Sequence, residues 1–475
     1  MAGAQGRRGE SAAGNTGKSW MDPFSDLGIA LTNWTVRYVP DAWIIAVILN
    51  IIVFAMVLVW GRTGVLGAFN AWGKGFWSLL TLMAQFSFII IVSYACAASP
   101  IVSRGLNYLA SRPNPDKPWQ ACLFVALLSL ASAYINWAFT LVLSAMFVPF
   151  VARQNPKTDF RLLVASAYVG LGTLWHSGLS GSATLIVATP DNFLMKSGVL
   201  KELIPVSRTM FAPFNFLLIA ITVIVVSIAV ILLTPKPHKA YLLKKEEIDA
   251  LVAIEVLPER PARPSFAQWL HYSPITNVVS GLACLVVIVN SFRIGGLEAW
   301  TIDLYNWVFL TLALFLTWRP AVFLDGCKKG ITGAWGIMVQ YPFYGGIFGL
   351  VSFTYLGHFL TDVLTSLCTR NTFLPIIYWY SGVLSYFVPS GGSKWAIEAP
   401  YILPAAKSMG VSVASATLIY GWGDMLTHLL QPFWAIPILS ITNTKFGDIA
   451  GFCAVIFVIY AFFLTIAMCF APIGL

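Results

Sequence analysis

The sequence predicts an all-α polytopic membrane protein of two inverted repeats, each with four spanning segments, a re-entrant helical hairpin and a broken helix, joined by a linker helix. Three observations predict it: a composition too apolar for a water-facing surface, apolar runs of bilayer length interrupted at matching places, and residues that recur at a near-constant offset between the two halves. Of 475 residues, 58 % are apolar and only 10 % charged, whereas soluble domains carry roughly 25 % charged residues. The same composition excludes disorder, which needs polar, aromatic-poor sequence. A net charge of +9 does not point to nucleic acid, because Lys and Arg are scattered through short connectors. In a membrane protein that placement is topology information.

In chain order, residues 1–41 read as a tail and an interfacial helix. Residues 1–20 are Gly, Ser, Ala and basic, without the apolar stretch of a secretory signal, and are expected to be disordered. Residues 22–40 alternate polar and apolar around Trp34 and Tyr38 and end at Pro40, which suits a helix lying in the interface. Spanning helices are expected at about 42–60, 76–98, 211–234, 273–291, 299–318, 331–356 and 448–471. Residues 119–152 and 371–409 are too long for one span and are broken midway, at Asn136-Trp137 and at Pro389 to Ser393. Residues 160–190 and 411–443 are broken at His176 to Thr184 and at Asp424 to Pro432. Irregular backbone at membrane depth is tolerated where protein or a wet cavity surrounds it. The seven cysteines show no paired or metal-type spacing and read as small buried residues.

Lys74, Gly75, Met83, Gln85, Phe88 and Pro149 recur 255 positions later as Lys329, Gly330, Met338, Gln340, Phe343 and Pro404. After a three-residue slip, Tyr168 and His176 recur as Tyr420 and His428. Residues 42–234 thus form a first repeat and 299–475 a second, with 235–298 a polar cytoplasmic linker and a linker span. If the two long interrupted segments are re-entrant, each half crosses four times and the linker span adds one crossing, which inverts the second repeat. That arrangement places 20 Lys and Arg on the tail's side and 8 on the other. If the segments span instead, the split is about 13 to 15 and carries no bias. The N-terminus is therefore expected in the cytoplasm and the C-terminus outside. Inverted repeats with broken helices meeting near the midplane are the architecture of a secondary transporter.

Five motifs carry a resemblance. They are Phe387-Val388-Pro389-Ser390-Gly391-Gly392-Ser393-Lys394-Trp395 followed by Pro400, Gln431-Pro432-Phe433-Trp434-Ala435, Ile135-Asn136-Trp137, Ser180-Gly181-Ser182 with Ala188-Thr189-Pro190, and Gln340-Tyr341-Pro342-Phe343. Together they resemble the bacterial short-chain fatty acid transporter family, from about residue 30 to the C-terminus. That family is similar to a larger ion-transporter superfamily of carboxylate carriers. The resemblance implies a site built from two hairpin tips and two broken helices, and a transport domain that moves against a scaffold in a homodimer. It also implies uptake of short monocarboxylates such as acetoacetate or butyrate through the cytoplasmic membrane. One departure stands out: Thr427-His428 occupies a place where the family is expected to carry Thr-Asn, which puts sodium coordination there in question.

The candidate substrate-binding residues are Asn136, Thr140, Ser180, Ser182, Ser390, Gly391, Gly392, Ser393 and Lys394. A lysine at helix-centre depth costs about 2.5–3.5 kcal/mol on insertion scales. Lys394 follows a Gly-rich tip at a helix start, where free N–H groups favour an anion. It could bind the carboxylate, pair with Glu398 one turn on, or do both. The coupling-ion candidates are Asp424, Thr427, His428, Glu398 and Ser177. Asp424 and His428, four residues apart on one helical face, could hold and release a proton, or simply satisfy each other. His176 mirrors His428 and reads as structural. Ser and Thr at the breaks, Thr184 included, could serve Na⁺, the substrate, or only freed carbonyls. The expected partners are a short-chain carboxylate anion, a coupling cation (H⁺ or Na⁺) and the lipid bilayer, with no nucleic acid, cofactor or metal. Transport of another small carboxylate or a dicarboxylate is the alternative within the same class. A channel and an intramembrane enzyme are the competing classes. The inverted repeats argue against the first, and the lack of a metalloprotease or nucleophile-elbow motif against the second.

Overall fold

A computed structural model describes residues 34, 37, 38, 40, 42–236, 239–252 and 260–475. The expected tail and most of the expected interfacial helix lie outside the described residues. Trp34, Arg37 and Tyr38 are helical and exposed.

The first half runs α1 (Ala42–Trp60), α2 (Val65–Phe76), α3 (Leu80–Ala97), α4 (Pro100–Ala110), α5 (Pro118–Ile135), α6 (Trp137–Gln154), α7 (Phe160–Thr173), α8 (Ser182–Ala188) and α9 (Pro213–Leu233). Proline opens α4, α5 and α9, a position where its fixed φ suits a helix start and its missing N–H has no partner to lose. Helix α10 (Ile275–Gly295) follows the linker. The second half repeats the order: α11 (Ile302–Thr317), α12 (Pro320–Gly330), α13 (Trp335–Ser352), α14 (Leu356–Leu367), α15 (Phe373–Phe387), α16 (Gly391–Ser408), α17 (Val413–Met425), α18 (Ile436–Thr442) and α19 (Phe446–Met468). Helices α3 and α13 are offset by 255 residues at both ends, the same spacing at which single residues recur. By length and composition eight helices among the described residues can cross a membrane, or up to ten if each bent pair is one span.

Two bodies result. In one, the halves interlock: α2 packs on α13, α12 on α3, α1 on α13 and α11 on α3. Lipid offers no hydrophobic drive between helices, so close approach of backbones supplies the contact. Gly75 allows it, since a Cβ there would lie 2.3 Å from the Gly345 carbonyl oxygen. The other body packs α5 on α7, α15 on α17 and α9 on α19. Helices α3 and α13 meet it through α6 and α16.

The chain doubles back within this second body. The hydroxyls of Ser132 and Thr140 are 2.7 Å apart, and so are those of Tyr380 and Tyr401. Both α5–α6 and α15–α16 are therefore helical hairpins rather than kinked rods. Helix α7 stops at Thr173 and restarts as α8 at Ser182. The second broken segment bends by 76° between Val413–Leu430 and Phe433–Thr442. Four short helices, α2, α4, α12 and α14, were not expected as separate elements. They hold Lys74, Arg104, Lys328 and Lys329, and His358 with Asp362, so no apolar run marks them.

Candidate functional site

The two hairpin tips and the two breaks meet in the second body. At the first tip, Asn136 caps α6: its Oδ1 accepts the N–H groups of Ala138 at 2.7 Å and Phe139 at 2.9 Å. Its Nδ2 donates to Ser93 Oγ at 2.8 Å. Ser180 Oγ accepts the Trp137 N–H at 3.0 Å, tying the first break to the first tip. Thr140 bonds within the hairpin, to Ser132, Ser144 and the Ser129 carbonyl. Three of the neutral residues singled out in the sequence therefore hold the tip in shape.

The second tip is more open. Ser390 is the N-cap residue of α16, and Ser393 Oγ donates to Ser390 Oγ at 2.5 Å. Tyr420 on α17 donates its hydroxyl to the Gly391 carbonyl at 3.0 Å. A Cβ on Gly391 would stand 2.7 Å from the Trp175 ring, 2.8 Å from the His176 ring and 3.0 Å from Asp424 Oδ2, so only glycine lets this tip reach the breaks.

A cavity of about 120 Å³ lies between this tip and the interlocked body. Phe86 and Tyr341 wall it on one side, Trp175 and Trp434 on the other, and Ser182, Gln340, Ser390 and the Gly391-Gly392 backbone supply neutral polar groups. No charged side chain lines it among the described residues. Of the nine substrate candidates, Ser182, Ser390, Gly391 and Gly392 line the cavity. Asn136, Thr140, Ser180, Ser393 and Lys394 do not.

Lys394 points away from the cavity into a fully buried charge cluster. Its Nζ donates to Ser381 Oγ at 2.6 Å and to the Ser381 carbonyl at 3.0 Å. Asp424 Oδ1 lies 3.2 Å away and Glu398 Oε2 3.5 Å. The Tyr420 ring faces the ammonium, with its centroid at 4.4 Å, a favourable cation–π placement.

The geometry corrects one expectation. Asp424 and His428 are not one pair on one helical face, because α17 ends at Met425 and His428 opens a separate 3₁₀ turn. The direct partner of Asp424 is His176, whose Nδ1 lies 2.9 Å from Oδ2. His428 reaches Asp424 through Ser385, which is 3.2 Å from each. Two other ion candidates are spent on backbone: Thr427 Oγ1 donates to the Gly382 carbonyl at 2.7 Å, and Ser177 Oγ to the Leu174 carbonyl at 2.7 Å. Sequence reasoning passed over Ser381, Ser385 and Trp175 and undervalued His176. The usable signal was the mirroring of His176 by His428 in the repeat.

A multi-pass helical body with two hairpin tips, two broken helices and a cavity between them defines a membrane transporter. Residues 24–471 match the profile of the family described as "Short chain fatty acid transporter", and the chain belongs to that family. A provisionally named short-chain fatty acid transporter of Escherichia coli (strain K12) is 30 % identical over 423 residues, covering 89 % of this chain and 94 % of the relative. One from Haemophilus influenzae, with the same provisional name, is 29 % identical over 447 residues, covering 91 % and 98 %. Two solved structures share the fold. Neisseria gonorrhoeae MtrF, described as illuminating a class of antimetabolite efflux pumps, aligns with a TM-score of 0.56 at 12 % identity, over 94 % of this chain and 97 % of that one. The Alcanivorax borkumensis YdaH transporter, described as having an unusual topology, aligns with 0.53 at 14 % identity, over 91 % and 99 %.

Proposed function

We propose that this chain is a secondary active carrier that moves short-chain monocarboxylates, acetoacetate- or butyrate-like, across the cytoplasmic membrane by cation symport with H⁺ or Na⁺. The observation that carries the reading is the cavity at the second tip: small, aromatic-walled and, among the described residues, free of charged lining, with the first residues of α16 at its edge. A short acid is an apolar tail with one carboxylate. The aromatic walls suit the tail. The unpaired N–H groups and positive dipole end of α16 suit the carboxylate, with Lys394 adding charge from one layer behind. A dicarboxylate brings a second negative charge that needs a cationic partner, and no charged side chain lines the cavity among the described residues.

The same reading takes 42–234 and 299–475 as inverted repeats, with 235–298 as linker, the N-terminus cytoplasmic, the C-terminus outside, and the working unit a homodimer. The cavity lies between two bodies, which suits alternating access by movement of one against the other. The test is uptake into proteoliposomes under imposed H⁺ or Na⁺ gradients with a panel of carboxylates. Gradient-driven, saturable uptake of two- to four-carbon monocarboxylates supports the reading. Preference for succinate, or uptake indifferent to both gradients, overturns it.

A further inference from the structure

We infer that Glu398 carries the coupling proton: it is a neutral carboxylic acid in this state and gives up its proton during the transport cycle, while Asp424 stays ionised. The inference rests on the symport reading above and names its ion and its residue.

Among the described residues, the titratable groups that face the cluster lie on α15, α16 and α17 and at the two breaks. Asp424 and Tyr420 come from α17, Tyr380 from α15, and Lys394 and Tyr401 from α16 itself, with His176 and His428 at the breaks. His358 and Asp362 of α14 are exposed. The cluster thus contains one ammonium, two carboxylates and two imidazoles.

Hydrogen-bond direction fixes both imidazoles as neutral. The backbone N–H of Ala183 donates to His176 Nε2 at 3.0 Å. That nitrogen must offer a lone pair, so its ring proton sits on Nδ1 and points at Asp424. Trp175 Nε1–H donates to His428 Nδ1 at 3.3 Å, so the His428 proton sits on Nε2 and points at Ser385. A second proton on either ring would set N–H against N–H. With both rings neutral, Lys394 faces two carboxylates, and two ionised carboxylates would leave one excess negative charge in a fully buried site.

The two acids are not equally prepared to be ionised. Asp424 accepts hydrogen bonds from His176 and Ser385 and lies 3.2 Å from the Lys394 ammonium. Glu398 has one long contact, with Lys394 at 3.5 Å, and its Oε1 is buried without a hydrogen-bond partner. A buried anion needs donors and a neutral acid needs far fewer. The proton therefore belongs on Glu398. On its own helix, one turn on, Tyr401 shares a hydroxyl contact of 2.7 Å with Tyr380, and Tyr380 is 37 % exposed. A hydroxyl pair thus stands between this face of α16 and the surface.

The step balances as proton transfer alone. An O–H bond forms at Glu398 with a proton taken from water on the entry side, and breaks with its return to water on the exit side. A carboxylate anion in the cavity adds negative charge beside the cluster and favours the protonated acid. By reciprocity the protonated acid favours the anion. The cargo is one anion and one proton, without net charge.

Infrared spectroscopy of the purified full-length protein tests this without substrate. Glu398 is the one fully buried glutamate among the described residues. The carbonyl stretch of a neutral carboxylic acid should be present near neutral pH, shift on ¹³C labelling of glutamate but not of aspartate, and disappear in Glu398→Gln. A band that shifts only with labelled aspartate, or no neutral-acid band at all, overturns the inference. The labelling result on the unmodified protein stands even if Glu398→Gln misfolds. Failure of wild-type vesicles to take up monocarboxylates would overturn the substrate reading and leave the infrared assignment in place.

Discussion

His176 Nδ1 stands 2.9 Å from Asp424 Oδ2 across 248 residues of chain, joining the break after α7 to the end of α17. The same imidazole accepts the N–H of Ala183 through its other nitrogen, so one ring fastens the first broken helix to itself and to the second. Replacing His176 by Ala removes a donor from a buried carboxylate, and should cost about 1–3 kcal/mol, read as a lower midpoint of thermal unfolding in detergent. An unchanged midpoint would show that the contact is dispensable.

Lys394 has a larger role in stability. Lys394→Ala strands Asp424 as a buried charge and should cost about 3–5 kcal/mol. Adding Asp424→Asn removes the stranded charge, so the double variant should be more stable than the sum of the two singles predicts. A double-mutant cycle on unfolding midpoints checks this. Additive losses would mean that the two groups do not interact.

Chain-length preference should follow the cavity walls. A Cβ on Gly392 would stand 2.4 Å from the Phe86 ring and 3.2 Å from Tyr341 Oη, so Gly392→Ala should disfavour butyrate relative to acetate. Phe86→Ala should shift preference toward longer acids, by about 1–3 kcal/mol per methylene accommodated. Competition against labelled butyrate with acids of increasing length measures both.

Topology can be tested at one end of the molecule. Arg153 at the foot of α6 bridges to Asp249 of the linker at 3.3 Å, and the Phe160 N–H donates to the Tyr241 carbonyl at 2.9 Å. Cysteines at the exposed Lys157 and Lys245 should therefore label from the same side, the cytoplasmic one. Asn155 is a poorer position because it is buried. Labelling from opposite faces would contradict the re-entrant reading of α5–α6.

Much of the helical frame was legible in hydropathy. A run such as 42–60 has no charge and becomes α1 over the same residues, because in lipid an apolar segment of that length has one solution. The repeat was legible too, since Lys74 and Lys329 recur at the helix offset. The amphipathic helices α2 and α14 were not, because their polar faces break the apolar signal on which span detection depends. In the site, the glycine tip at 391–392 was visible as a motif. The partner of Asp424 was not: spacing of four assumes an unbroken helix, and this one ends at Met425. Nor could the sequence show that Lys394 turns behind the cavity, since that depends on Ser381 from the preceding helix.

The most direct test of the carrier reading is counterflow. Vesicles containing the purified protein and loaded with unlabelled butyrate, placed in dilute labelled butyrate without any ion gradient, should transiently accumulate label above the outside concentration. That overshoot requires a site that carries substrate in both directions. Label that only equilibrates, at a rate independent of the internal butyrate, would contradict the account.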